Sequence, residues 1–193
     1  MMDLSGGGKP LVLASGSPRR KELLSKMGYT YEVCVPEVDE HVSGHPRDVV
    51  RVLAERKARA AAERIRHGVI LASDTLVSLD GIPLGKPSDA SDARHMLRAL
   101  SGRTHEVYSG ICALDACTGH CEVQAVCTGV RFRAISDAEI DAYIATGEPM
   151  DKAGAYAIQG GAGAFVAGLD GSFENVMGLP VDEVRDMLHR FGF

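Results

Sequence analysis

The alternation of short apolar runs with stretches of helical periodicity constrains the fold of this chain more than any other feature. Residues 11–14 and 69–73 are short and apolar, which is typical of buried strands. Apolar residues recur at helical spacing over 46–67 and 88–100, and a glycine closes each stretch. This alternation predicts an α/β fold with a mixed sheet and flanking helices.

Residues that start and stop helices support this division. Ser17 as N-cap, Pro18 at the first position and Gly28 as the stop predict a helix. Residues 136–139 form a capping box, which predicts a helix through Ala145. The remaining predicted elements are strands at 76–79, 107–114 and 122–132, a hairpin turn at Asp80-Gly81, a Gly-dense loop over 148–163 and a last helix after Pro180.

Composition and charge exclude several classes of protein. With 45% hydrophobic residues among 193, the chain can bury a core, which excludes disorder of the whole chain. Its apolar runs are too short to cross a membrane. A net charge of −5 argues against a broad nucleic-acid-binding surface. We therefore expect neither a membrane nor nucleic acid among the partners.

The N-terminus and the cysteines predict domain organisation and compartment. Residues 1–9 contain three consecutive glycines and are expected to form a flexible lead, followed by a single domain over 10–193. The start lacks the basic and apolar segments of a secretory signal. Five cysteines in such a chain favour reduced thiols and a cytoplasmic location.

Three basic residues, 19–21, occupy the first turn of the first predicted helix. Positive charge there opposes the helix dipole, which favours anions at that end. Free backbone N–H groups, the hydroxyls of Ser15 and Ser17 and the guanidiniums of Arg19 and Arg20 would together hold a phosphate or a carboxylate. The alternative is a solvated basic turn whose side-chain stems cover the core.

Two further positions place polar groups where apolar ones are expected. Lys57 lies in the apolar stripe of the second predicted helix, where an ammonium needs a partner or a ligand; it could equally reach solvent at the edge of the stripe or pair with an internal carboxylate. Asp74 and Thr75 directly follow a buried strand, at the end where α/β sheets place ligands and catalysis. A turn-forming Asp is the alternative.

Loops carry the other candidate groups. Asp39 and Glu40 could supply oxygen ligands to a metal, although adjacent loop acids are often only solvated. Lys86 and Lys152 lie beside residues that constrain the backbone. The glycine segments do not form a P-loop, because no Ser or Thr follows the lysine, and 161–163 lacks the third glycine of a dinucleotide fingerprint.

Four cysteines and a histidine cluster on the predicted hairpin around Cys117 and Cys121. The spacing of these two falls within the range of structural zinc sites, but no second regular pair completes such a site. Cysteine is also common as a buried apolar residue on strands. We therefore do not expect zinc.

Several segments occur along the chain in one order, namely 13–24, 54–58, 73–75, 85–87, 96–105, 128–132, 147–160 and 175–180. In that order they resemble the motifs of the Maf family of nucleotide pyrophosphatases, over nearly the whole chain from Pro10 onward. The cysteine-bearing hairpin matches no motif of the family. Ser73 stands where alanine is more usual.

The resemblance implies a reaction and a fold. The reaction is hydrolysis of nucleoside triphosphates between the α- and β-phosphates, giving a monophosphate and pyrophosphate, with Mg²⁺ or Mn²⁺ as cofactor. The fold is the inosine-triphosphatase-like α/β architecture, with two lobes about a cleft, often as a homodimer.

The resemblance also implies residue roles. Asp74 would be the general base or a metal-bound acid, and Glu40 a metal-side carboxylate. The residues implied to hold the polyphosphate are Ser15, Arg20, Lys57 and Lys86. The residues that resemble the dTTP- and UTP-specific branch, at positions tied to base choice, are Arg19, Thr75 and Gln159. Lys152, in the matching segment 147–160, is a further candidate for substrate binding.

The choice of base and the biological role keep alternatives open. The Gln159 amide can accept from N3–H of uracil or thymine and donate to a ring carbonyl, whereas a flipped amide would serve cytosine. A related branch acts on methylated guanine nucleotides. The family's association with septum inhibition also suggests a nucleotide-binding regulator of cell division.

Overall fold

The computed structural model describes residues 8–193. Most of the expected N-terminal lead, residues 1–7, lies outside the described residues. The strands are β1 (Leu11–Leu13), β2 (Glu32–Val33), β3 (Val69–Leu79), β4 (Ile82–Leu84), β5 (Thr104–Asp115), β6 (Cys121–Phe132) and β7 (Val166–Asp170). The helices are α1 (Pro18–Lys26), α2 (Pro46–Ala62), α3 (Ala90–Leu100), α4 (Asp137–Ala145), α5 (Phe173–Met177) and α6 (Val181–Arg190).

The strands form one mixed sheet, which confirms the predicted α/β class. Its order is β2-β1-β3-β5-β6-β7, with β4 beside β3. β1 is parallel to β2 and β3, whereas β4 and β7 are antiparallel to their neighbours. All three residues of β1 are buried, as expected for a parallel strand covered on both faces.

The described residues divide into two compact units. The first unit comprises the described residues up to Thr75, Ser109–Val126 and Gly178–Phe193; the second comprises Leu76–Tyr108 and Cys127–Met177. In the first unit the small residues of α2 pack on the apolar faces of three strands; the buried residues of this cluster are Val12, Ala14, Ala54, Ala58, Ala61, Ile70, Ala72, Cys112 and Leu114. Alanines on α2 let its backbone lie close to the sheet.

An aromatic cluster forms part of the core of the second unit. Phe132 lies edge-on to Tyr156, His105 and Phe165, with ring centroids 5.0, 4.9 and 6.1 Å away. Tyr143 from α4 packs edge-on against Phe165 at 5.4 Å. Edge-to-face contacts of this kind add to the burial of the rings.

Local corrections concern the ends of elements. The capping box is present, with Ser136 and Glu139 bonded reciprocally at the start of α4. Ser17 precedes α1 as predicted, but its side chain makes no capping bond. α2 ends at Ala62 rather than 67, and the strands predicted at 69–73 and 76–79 are one continuous strand, because Asp74 and Thr75 keep the extended backbone.

Some elements were not predicted. The segment expected to be a loop over 148–163 contains three short 3-10 helices, at Glu148–Asp151, Ala153–Ala155 and Gly161–Phe165. The other unpredicted elements are short, namely β2, β4, β7 and α5. A periodic hydrophobic pattern cannot be recognised over so few residues. Among residues 8–193, no helix combines the length and apolar character needed to span a bilayer.

Candidate functional site

In the first unit, the partly buried guanidinium of Arg20 joins three separate chain segments. Its Nε donates to the carbonyl oxygen of Gly178 at 2.9 Å, Nη1 to Ser15 Oγ at 3.2 Å and Nη2 to Thr75 Oγ1 at 3.1 Å. Burial lowers the pKa of Arg20 below its usual value, while Asp74 and Glu40 act in the opposite direction. Among the described partners, these bonds engage three of its five N–H donors.

Gly178 provides the acceptor at the centre of this arrangement. Its carbonyl oxygen also accepts from Ser73 Oγ at 3.1 Å and from Thr75 Oγ1 at 3.4 Å. Its φ of +118° lies in the region that L side chains rarely adopt. Thr75 is further linked to Ser109 at 2.9 Å between hydroxyl oxygens. The middle of β3, where Thr75 lies, is therefore held by the Arg20 guanidinium directly and through the shared acceptor at Gly178.

Lys57 lies between two carboxylates of the same unit. Its Nζ is 2.6 Å from Asp74 Oδ1 and 2.7 Å from Glu40 Oε1. The side chains of Lys57 and Asp74 are 14% and 13% exposed, whereas that of Glu40 is 64% exposed. The expectation that an inward lysine needs a partner is thus met by two acids, and one of them follows the buried part of β3.

Helix α2 explains why the ammonium reaches this point. Ala54 and Ala58 flank Lys57 on the helix and are fully buried against the sheet. This packing brings the helix face close to β3, so that the lysine stem spans the gap to Asp74. Charge pairing at low exposure is stronger than at the surface, because water screens it less.

Three predicted residues lie in the second unit. Lys86 and Gln159 have exposed side chains. Lys152 is paired with Asp151 and is 18% exposed. The backbone N–H of Gly154 donates to the carbonyl oxygen of Gly85 at 3.0 Å, which holds the segments that carry Lys86 and Lys152 together.

A hydrogen-bond network holds the backbone on both sides of Gln159. The Tyr143 hydroxyl accepts from the N–H of Ala157 and donates to Glu148 Oε1, both at 3.1 Å. Glu148 Oε2 accepts from the N–H of Gly161 at 3.1 Å. A side chain at position 160 would place its Cβ 1.8 Å from Glu148 Oε1. The carboxylate can approach only because glycine stands next to Gln159.

A family model described as Maf-like protein matches residues 10–191. This chain belongs to the Maf family. Several relatives that match this chain over almost its full length carry the same name. A protein of Pelotomaculum thermopropionicum named dTTP/UTP pyrophosphatase is 46% identical over 187 residues, which cover 96% of this chain and 98% of that protein.

Two further relatives of this Maf protein bear the same name. One from Anaeromyxobacter sp. is 50% identical over 185 residues, 94% of this chain and 89% of that protein. One from Anaeromyxobacter dehalogenans is 52% identical over 187 residues, 95% of this chain and 94% of that protein. The resemblance inferred from the motifs is thereby confirmed at the level of the family.

The predicted site residues are divided between the two units of the fold. Ser15, Arg20 and Thr75 are joined by direct bonds in the first unit, and Lys57, Asp74 and Glu40 form a second set of direct contacts there. Arg19 is half-buried at the start of α1. Lys86, Lys152 and Gln159 belong to the second unit.

Several residues that organise these groups were missed by sequence reasoning. Gly178 was noted only as part of a motif, and Ser109, Tyr143 and Glu148 were not singled out. The position of Glu148 just after a helix-ending glycine, within a Gly-dense segment, was the available signal. A backbone carbonyl as a shared acceptor leaves no signal in the sequence.

Within residues 8–193, no group of three or more His, Cys, Asp or Glu side chains could hold a metal. Glu40 and Asp74, however, converge on one cation, Lys57 Nζ. Two carboxylates suffice for Mg²⁺ when phosphate oxygens complete its shell.

Proposed function

We propose that this Maf protein is a divalent-metal-dependent nucleoside triphosphate pyrophosphatase that hydrolyses dTTP and UTP to the monophosphate and pyrophosphate. The observation that carries the proposal is the convergence of Lys57, Asp74 and Glu40 in the same unit as the partly buried Arg20. The names of the relatives support the substrates. We propose that residues 10–193 act as one catalytic domain.

A triphosphate brings several negative charges, which accounts for partly buried cations in a net acidic chain. Arg20, Arg19 and the hydroxyl of Ser15 bind the polyphosphate at the start of α1, where backbone N–H groups and the helix dipole also favour anions. Arg20 keeps one N–H on each terminal nitrogen for this purpose, because each of these nitrogens gives only one of its two hydrogens to a described partner.

Asp74 acts as the general base toward the attacking water. Lys57 binds its Oδ1, so the proton is accepted at Oδ2, the other carboxylate oxygen. Lys57 orients the carboxylate through this contact, and it offers a positive charge to the phosphates. Low exposure of the Asp74–Lys57 pair limits competition from bulk water.

Glu40 and Asp74 would hold Mg²⁺ or Mn²⁺. Such an ion polarises a phosphoryl oxygen and lowers the pKa of a bound water. The two acids fit this role because both are ionisable oxygen donors that already face a common cation. Their chemistry suits hard cations rather than zinc.

The remaining predicted residues complete the proposal. Lys86 and Lys152 bind phosphate oxygens, and Arg19, Thr75 and Gln159 act in base choice. The Gln159 amide accepts from N3–H of uracil or thymine and donates to a ring carbonyl. We propose that the protein acts in the cytoplasm, where its substrates are made. We also propose that it forms a homodimer.

A substrate panel tests this function. Pyrophosphate release is measured, after conversion to phosphate by an added inorganic pyrophosphatase, with dTTP, UTP, dCTP, dGTP and methylated guanine triphosphates, each with Mg²⁺, with Mn²⁺ and with chelator. We expect dTTP and UTP to turn over fastest and the chelator to abolish release.

Other outcomes identify the alternatives. Fastest turnover of a purine triphosphate would place the chain in the methylated-guanine branch. Nucleotide binding without turnover, measured by calorimetry, would instead favour a regulator. Full activity in chelator would contradict the metal dependence.

A further inference from the structure

The hairpin formed by β5 and β6 brings two thiols of the first unit into direct contact. Cys112 Sγ and Cys121 Sγ are 3.3 Å apart. Cys112 lies on β5 and is fully buried, whereas Cys121 begins β6 and is partly exposed. The proposed function uses neither residue, and neither lies in a segment that resembles a Maf motif.

The surroundings keep the two sulfurs together. Both pack against the apolar cluster that α2 forms on the sheet, with Ala54, Ala58 and Ala61 opposite. The backbone N–H of Asp115 donates to the carbonyl oxygen of His120 at 2.9 Å, which closes the turn between the strands. Because the turn and the packing fix both strands, the sulfurs meet without any rearrangement of the chain.

The two thiols differ in character. Burial raises the pKa of the Cys112 thiol well above its ordinary value, and its hydrogen bond to Cys121 acts in the same direction. Cys121 is open to solvent on one side, whereas Cys112 is enclosed by its neighbours. Cys121 is therefore the sulfur that an oxidant reaches first.

We propose that Cys112 and Cys121 form an oxidation site that a hydroperoxide closes into an intramolecular disulfide. The Cys121 thiolate attacks the terminal peroxide oxygen; the S–O bond forms, the O–O bond breaks, and the alkoxide leaves with a proton as the alcohol. Cys112 sulfur then attacks Cys121 sulfur; the S–S bond forms, the S–O bond breaks, and water leaves with the thiol proton. Two thiols lose two electrons, and the peroxide gains them.

The other cysteines of the chain provide the controls. Cys127 is exposed further along β6, and Cys117 is exposed in the turn, where its Sγ contacts His67 Nδ1 at 3.2 Å. Cys34 also packs against the apolar cluster. Exposure alone would favour oxidation at Cys117 and Cys127, whereas contact between sulfurs favours the pair.

Peptide mapping tests the proposal in a Cys117→Ser background. The folded protein is treated with tert-butyl hydroperoxide, free thiols are alkylated, and the chain is cleaved after acidic residues without reduction. Such cleavage separates Cys112, in 107–115, from Cys121, in 116–122. We expect these two fragments to be linked in most molecules, with loss of two hydrogens from the intact mass, and the link to disappear on reduction.

Matched variants make the result decisive. Cys112→Ala and Cys121→Ala are each expected to abolish the link, and Cys127→Ser to leave it unchanged; a native circular dichroism spectrum checks that each variant is folded. A link from Cys121 to Cys34 or Cys127, or over-oxidation of Cys121 while Cys112 stays a free thiol, would overturn the proposal.

Discussion

The two units of this Maf protein hold their candidate groups by different forces. In the first unit, ion pairs and a partly buried guanidinium fix the side chains themselves: Lys57 binds Asp74 and Glu40, and Arg20 binds Ser15 and Thr75. In the second unit, the side chains of Lys86 and Gln159 are exposed, and the structure fixes the backbone beneath them instead.

This difference matches two kinds of task. Chemistry on a phosphate requires charges that are already in place, because reorganising them during the reaction costs free energy. Recognition of a neutral base requires a hydrogen-bonding side chain on a well-positioned backbone, since unpaired polar groups then reject the wrong base. We therefore expect Lys57 and Asp74 of the first unit to control the rate, and the segment around Gln159 in the second unit to control selectivity.

Apart from Asp74 itself, the largest effect is expected at Lys57, which is paired with two carboxylates. Lys57→Gln removes the cation between Asp74 and Glu40 and a charge that would face the phosphates. We expect kcat/KM for UTP to fall about 100-fold or more, by the scale for loss of a preorganised electrostatic contact. Steady-state kinetics measure this. Lys26→Gln, which breaks an exposed lysine–glutamate pair, is the matched control, and an equal loss in both variants would refute the assignment.

A second effect concerns the buried imidazole of the second unit. Burial lowers the pKa of His105 to about 4, below the ordinary value near 6.5. Between these values the unfolded chain binds a proton that the folded protein does not. The stabilisation present above pH 6.5 is therefore lost as the pH falls toward 4.

Denaturant unfolding at pH 7 and pH 5 measures that loss. Through His105 alone we expect the free energy of unfolding to fall by about 2 kcal/mol between these pH values. His105→Gln should remove this part of the pH dependence, and the exposed His95→Gln should not. Equal pH dependence in the two variants would show that His105 does not titrate in this way.

A smaller effect is expected on selectivity. Tyr143→Phe keeps the ring against Phe165 but removes the hydroxyl that bonds Ala157 and Glu148. The backbone around Gln159 loosens, so we expect the preference for UTP over CTP to drop about tenfold, the scale of about one or two lost hydrogen bonds, while kcat for UTP changes little.

Hydrogen exchange gives a second readout for the same variant. The amide of Ala157 should exchange faster once its acceptor is gone. Tyr31→Phe, which removes the hydroxyl that donates to Lys21 O in the first unit, is the control. A fall in kcat with unchanged selectivity would contradict the division of tasks between the units.

The smallest effect is expected at Ser73. Its hydroxyl donates to the carbonyl oxygen of Gly178, which also accepts from Arg20. Ser73→Ala should change kcat/KM for UTP less than about twofold, within the weak range of a single neutral hydrogen bond whose acceptor keeps other donors. A larger loss would assign Ser73 a part in holding Arg20.

The same contrast explains what the sequence could reveal. Lys57 and Asp74 interrupt apolar patterns, so their type and spacing pointed to them before any coordinates. The alternation of runs likewise predicted the α/β class, and the spacing of Ser136 and Glu139 predicted the capping box. Patterns that break a physical rule are visible in a sequence.

Contacts made by residues that fit the local sequence pattern cannot be predicted from the sequence. The acceptor at Gly178 is a backbone carbonyl, which every residue carries. The hydrogen bond between the Tyr143 hydroxyl and the N–H of Ala157 forms only because the folded chain brings these residues together. Short elements such as β7 span too few residues for periodicity, and the backbone at Asp74 continues β3 because strand pairing overrides the turn preference of Asp. These features depend on tertiary structure.

The proposed role of Asp74 is tested most directly by pyrophosphate release from UTP with Mg²⁺ in Asp74→Asn. The substitution keeps the shape of the side chain and removes the proton acceptor that lies against Lys57. Asp182→Asn, at an exposed surface pair, serves as the control. The account predicts that release is lost in Asp74→Asn and retained in Asp182→Asn; an unchanged rate in Asp74→Asn would contradict it.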